Sequence, residues 1–77
     1  MVEVVGSKLV EGTSKKSGKP YKAYVVYYTE DDDSVFGVIT GDAFIDVSLL
    51  NGRVPMPGDK MELNYNKNGF LSKVAFA

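Results

Sequence analysis

The 77-residue chain contains no cysteine and no histidine. A disulfide framework is therefore excluded, and so are metal sites built from thiolate or imidazole. The missing histidine also removes the commonest general base. Ser7, Ser14, Ser17, Ser34, Ser48 and Ser72 have no recognisable activating partner, so neither an enzymatic activity nor a cofactor is expected. No apolar run approaches the roughly 20 residues of a membrane-spanning helix. The opening MVEVVGSKLVEG lacks the basic stretch and apolar segment of a secretory signal, which makes cytoplasmic residence the expectation. A helical apolar period is absent as well.

The length allows a single domain over residues 1–77. A chain this short buries only roughly 60–65% of the surface that it exposes when unfolded. With no crosslink to strengthen such a core, association with a second copy is the remaining source of stability, and a homodimer is expected.

What the chain does have is segregated charge. The formal net charge is −1. Residues 1–22 nevertheless carry Lys8, Lys15, Lys16, Lys19 and Lys22 against Glu3 and Glu11, a balance of +3. Residues 30–46 carry Glu30, Asp31, Asp32, Asp33, Asp42 and Asp46 with no base, a balance of −6. Residues 47–77 return to +2 through Arg53, Lys60, Lys67 and Lys73 against Asp59 and Glu62. A bipolar surface of this kind steers a charged partner to one side even at a total near zero.

The remaining composition is rich in valine, tyrosine, phenylalanine and threonine, broken by glycine, proline, asparagine and aspartate, which reads as short strands and turns. VEVVGSKLV is a first strand, interrupted at Gly6 by a bulge or bend. GTSKKSGKP is a basic loop, and YKAYVVYYTE is a second strand with two largely apolar faces, its Tyr24, Val25, Val26 and Tyr27 reading as core. SVFGVIT is a third strand, with Gly37 inside it. GDAFIDVSLLNGRVPMPG holds a short strand at Phe44–Val47 or a single helical turn near Val47–Leu50. DKMELNYN places Met61, Leu63 and Tyr65 on one face. The Asn-Gly of the following KNG marks a tight turn. FLSKVAFA closes the chain, with Phe70, Val74 and Phe76 on one face and Leu71, Lys73 and Ala75 on the other.

Five antiparallel strands with no covering helix must curl to bury their apolar faces. The expected fold is all-β: a five-stranded antiparallel small barrel like the oligonucleotide-binding (OB) fold, with an SH3-like barrel as the alternative. On such a barrel the first loop and the faces of strands two and three are the usual oligonucleotide surface. Single-stranded nucleic acid needs cations along its backbone and flat rings for its bases. Lys15, Lys16 and Lys19 on the first loop, Tyr21 beside it, and Lys67, Phe70 and Lys73 around the last hairpin supply both. The acidic Glu30–Asp33 is dense enough to attract Ca²⁺, but its spacing matches no EF-hand loop. It reads as a solvated turn, and no metal site is assigned. Gly12 and Gly18 are followed by no GKS or GKT and make no phosphate loop.

KSGKPY (Lys16–Tyr21), VFGVIT (Val35–Thr40) and MPGDKMELNY (Met56–Tyr65) occur in an order and spacing that resembles the small helix-destabilising single-stranded-DNA-binding proteins of filamentous phages. NGFLSKVAF fits their last strand loosely, so the likeness runs from about residue 11 to residue 77. The resemblance implies a five-stranded OB barrel, a two-fold dimer, and cooperative, largely sequence-independent coating of single strands during phage or mobile-element DNA replication. It places the family's basic loop residue on Lys16, its aromatic on Tyr21 and, less closely, its hairpin aromatic on Phe70. The sequence departs from the family where Gly37 replaces a strand lysine and Glu11 replaces an upstream base. The partner expected is single-stranded DNA, with RNA as the alternative strand. The second reading is a small β-barrel protein-interaction or structural module whose contact surface is the acidic turn 30–33.

Overall fold

The computed structural model describes every residue from Met1 to Ala77. Five strands, β1 (Val2–Thr13), β2 (Pro20–Asp31), β3 (Val38–Asp46), β4 (Lys60–Tyr65) and β5 (Leu71–Phe76), form one antiparallel sheet in the order β3-β2-β1-β4-β5. The only helical element is a 3-10 turn over Val47–Leu49, and no helix is long and apolar enough to cross a membrane.

Alternation along the strands decides what is buried. Val2 and Val4 of β1, Val26 of β2, Ile45 of β3 and Met61 of β4 point to one face and make the core with Leu50. Tyr24, Tyr28, Ala43, Leu63, Leu71, Val74 and Phe76 pack around them. Val26, Ile45 and Met61 are fully buried, and burial of such a side chain contributes about 1.5–3 kcal/mol. The bulge expected at Gly6 is present, since the β1–β2 register slips between Val4 and Gly6.

The closed barrel expected from the sequence does not form. β3 and β5 are the two edges of the sheet and do not pair with each other. The 3-10 turn that follows β3 packs on both β2 and β5. Leu49 and Leu50 thereby finish a core that strand pairing would otherwise have closed. That turn is capped by Asp46, whose carboxylate accepts the backbone N–H of Ser48 at 2.9 Å. β4 joins β1 through two residue pairs only, Val2 with Met61 and Glu3 with Lys60. The contact is lengthened by hydrogen bonds from Val4 N to Asp59 O and from Gly58 N to Val4 O, each 2.8 Å.

Three local readings change. The third strand begins at Val38, not Ser34, because Asp32 folds an Asx turn by accepting from the backbone and hydroxyl of Ser34. Gly37 then turns the chain at a φ of 108°. Leu71 joins the core side with Val74 and Phe76, because a register slip between Asn64 and Tyr65 pairs Tyr65 with Leu71 and Asn64 with Lys73. Tyr27 lies on the opposite side of the sheet from Val26 and is 43% exposed, so it is not core.

The β4–β5 connection is a three-residue loop. Gly69 N donates to Asn66 O at 2.9 Å, and Asn66 N donates to Phe70 O at 2.8 Å. Only Gly69 takes a positive φ in this loop, 84°, the pattern of a type I turn closed by a left-handed residue.

Candidate nucleic-acid interface

β2 pairs with β1 from Pro20 to Thr29, but with β3 only from Ala23 onward. The first hairpin therefore runs past β3 as a two-stranded arm within a molecule 44 Å long. At its tip Gly18 N donates to Ser14 O at 2.8 Å and Ser14 N to Lys19 O at 2.9 Å, with Gly18 at a φ of 69°. This tight turn holds Lys15, Lys16 and Lys19 in solvent, and none of the three has an ion-pair partner. Lys22 does: its ammonium lies 3.5 Å from Glu11 across the arm.

Tyr21 starts the outer face of this arm. Its cross-strand partner is Gly12, and the phenol ring lies over that glycine so closely that a Cβ there would sit 2.8 Å from the hydroxyl oxygen. The ring meets Phe44 of β3 at 6.0 Å between centroids, tilted by 59°, within the range of favourable aromatic pairs. Phe44 is 55% exposed. Lys8, Val25 and Phe44 form one row across β1, β2 and β3 on this face, and Gly6, Tyr27 and Asp42 form the next. An open depression beside the second row is lined by Val5, Tyr27, Tyr28, Thr40, Gly41 and Asp42. Asp42, Phe44 and Asp46 alternate along β3, so two carboxylates flank the ring. The hydrogen bonds from Ser48 hold the Asp46 carboxyl below its ordinary range.

The site residues expected from the sequence thus divide. Lys15, Lys16, Lys19 and Tyr21 come together on the arm. Lys67 and Phe70 do not join them: β4 runs antiparallel to β1 from the Val2–Met61 pair, so its hairpin leaves the sheet at the end opposite the lysine tip. Phe70 is 70% exposed there. Lys73 is exposed on β5, opposite Asn64. The acidic turn also lies away from the lysines, at the far end of β2. There Glu30 meets the terminal ammonium at 3.7 Å, and Phe36 is fully exposed.

Lys8, Tyr27 and Phe44 were missed by the sequence reading. The signal for Phe44 is present in GDAFID, where period-two alternation puts it on the face of Asp42 and Asp46 rather than with Ala43 or Ile45. Comparison with family models, with curated proteins and with solved structures gives no match to the chain.

Proposed function

We propose that the protein binds single-stranded DNA, largely independently of sequence, along the outer face of β1, β2 and β3, as the likeness to phage replication proteins implies. The observation that carries this reading is the placing of three unpaired lysines, at the tip of the arm, next to Tyr21, whose ring pairs with the exposed Phe44 of β3 on the outer face. Phosphates would take the ammonium groups and bases would stack on the rings. Each stacked base contributes about 1–3 kcal/mol by this mechanism.

A fluorescence-anisotropy titration of labelled oligo-dT at several salt concentrations tests it. Each neutralised phosphate contributes about 0.7 to the logarithmic salt slope on a single strand. Engagement of Lys8, Lys15, Lys16 and Lys19 predicts a slope of about −3, and Lys16→Ala should reduce it by about 0.7. Salt-indifferent binding, or none at low salt, would count against the proposal.

A homodimer belongs to the same reading. Only 8 of 77 residues are buried, a small core for a free-standing domain, and both sheet edges are open. Sedimentation at micromolar concentration should give twice the 8.4 kDa chain mass, and a single 8.4 kDa species would contradict it.

One observation favours the second reading, a protein-interaction module. Phe36 stands fully exposed three residues after Asp33, with Val35 and Val38 also exposed around it. An acidic tip with an apolar apex suits a basic protein surface with an apolar pocket. A low-salt titration without DNA binding would leave this reading standing.

A further inference from the structure

We propose that the carboxylate of Asp42 gives this face a preference for bases that carry an exocyclic amino group, cytosine over thymine. The inference rests on the single-strand reading above and deepens it.

The outer face is polarised across the strand direction. Lys8 stands on β1, Val25 on β2 and Phe44 on β3, in one register row. Strand spacing puts Lys8 and Phe44 about 10 Å apart. Asp42 and Asp46 flank the ring along β3, the free edge of the sheet, with Asp42 in the next row beside Tyr27. A phosphate is attracted to the lysine side and repelled from the carboxylate side. A nucleotide on this face therefore lays its backbone along β1 and the arm tip, and its base across Tyr27, beside Phe44, toward the β3 edge. The outward edge of that base then meets the β3 carboxylates.

A carboxylate only accepts hydrogen bonds. Cytosine presents its N4 amino group, a recognised partner of aspartate. Thymine presents the O4 carbonyl at the same position, which a carboxylate repels. Asp46 is partly committed, because it accepts from Ser48 N. Asp42 accepts no protein hydrogen bond and makes no ion pair. It also lines the open depression with Tyr27 and Thr40, which leaves room for a base edge beside it. Asp42 is therefore the residue that discriminates.

The test compares labelled oligo-dC and oligo-dT of equal length at neutral pH and low salt, with the wild-type chain and Asp42→Ala. Both strands are pyrimidine and stack alike. The wild type should bind oligo-dC on the order of fivefold more tightly, the effect of one exposed charge-assisted hydrogen bond. Asp42→Ala should bring the ratio close to one, by weakening oligo-dC binding and relieving repulsion from oligo-dT. Equal wild-type affinities, or a preference that survives Asp42→Ala, would overturn this inference alone. Failure to bind either strand would overturn the single-strand reading and this inference with it. Asp42 is an exposed residue of an edge strand, so its substitution leaves folding within about 0.5 kcal/mol. A far-ultraviolet circular dichroism melt checks this in the same samples.

Discussion

Phe44→Ala should weaken binding of oligo-dT by about 5- to 150-fold, the loss of one stacking ring, while the salt slope stays that of the wild type. The ring carries no charge, so the number of released counterions does not change. Its 55% exposure means that little core packing is lost with it. The two effects separate stacking from electrostatics in one experiment, because Lys16→Ala acts on the slope. A Phe44→Ala chain that binds as tightly as the wild type would remove the aromatic half of the proposed interface. If affinity fell together with thermal stability, the ring would be a structural element and not a contact.

Its neighbour should behave in the opposite way. Ile45→Ala removes a fully buried side chain that packs with Val2, Val4, Val26, Leu50 and Met61. Such truncations cost about 2–5 kcal/mol, because a cavity replaces the lost contacts. Small single cores without crosslinks rarely supply more than about 3–5 kcal/mol in total. A urea titration followed by circular dichroism should therefore show Ile45→Ala with its midpoint close to zero denaturant, or already largely unfolded at 25 °C. The slope of the titration should be unchanged wherever a folded baseline remains. One step along β3 thus separates an exposed ring of the proposed interface from a buried residue that serves folding. A midpoint within experimental error of the wild type would mean that the inner face of β3 is not the core.

The contrast between residues 44 and 45 also explains how far the sequence could be read. Period-two alternation and turn residues were enough to recover five antiparallel strands, the bulge at Gly6 and the tight turn at Gly69, because each is local. The start of β3 was not recovered. VFGVIT alternates well enough to pass for a strand, but its Gly37 sits at a φ of 108°, a choice made by the Asx turn at Asp32 and not by the pattern itself. Alternation puts Leu71 with Lys73, away from Val74 and Phe76, but a one-residue register slip inverts every residue beyond it. Closure failed for a longer-range reason. Whether β3 meets β5 depends on what fills the space between them, and here Leu49 and Leu50 of the 3-10 turn fill it.

Recovery of the candidate interface followed the same logic. Lys15, Lys16, Lys19 and Tyr21 are close in sequence and stay close in space. Lys67 and Phe70 join them in sequence only as the cation and ring of the last hairpin, Phe70 also through the resemblance, whereas the antiparallel course of β4 sends that hairpin the other way. Phe44 and Lys8 could be added only once the register was known, since their proximity runs through Val25 on a strand that neither belongs to.

The arm beyond β3 sets where the molecule can open. From Pro20 to Lys22 each residue of β2 has one neighbouring strand instead of two, and an isolated two-stranded ribbon is marginal in water. Backbone amides of Tyr21 and Lys22 should therefore exchange with solvent through local fraying, and those of Val26 and Ile45 only on global unfolding. The lysine tip is thus expected to open as a limb on its own, apart from the rest of the sheet. A bound strand that orders it gives up part of its binding free energy to that ordering.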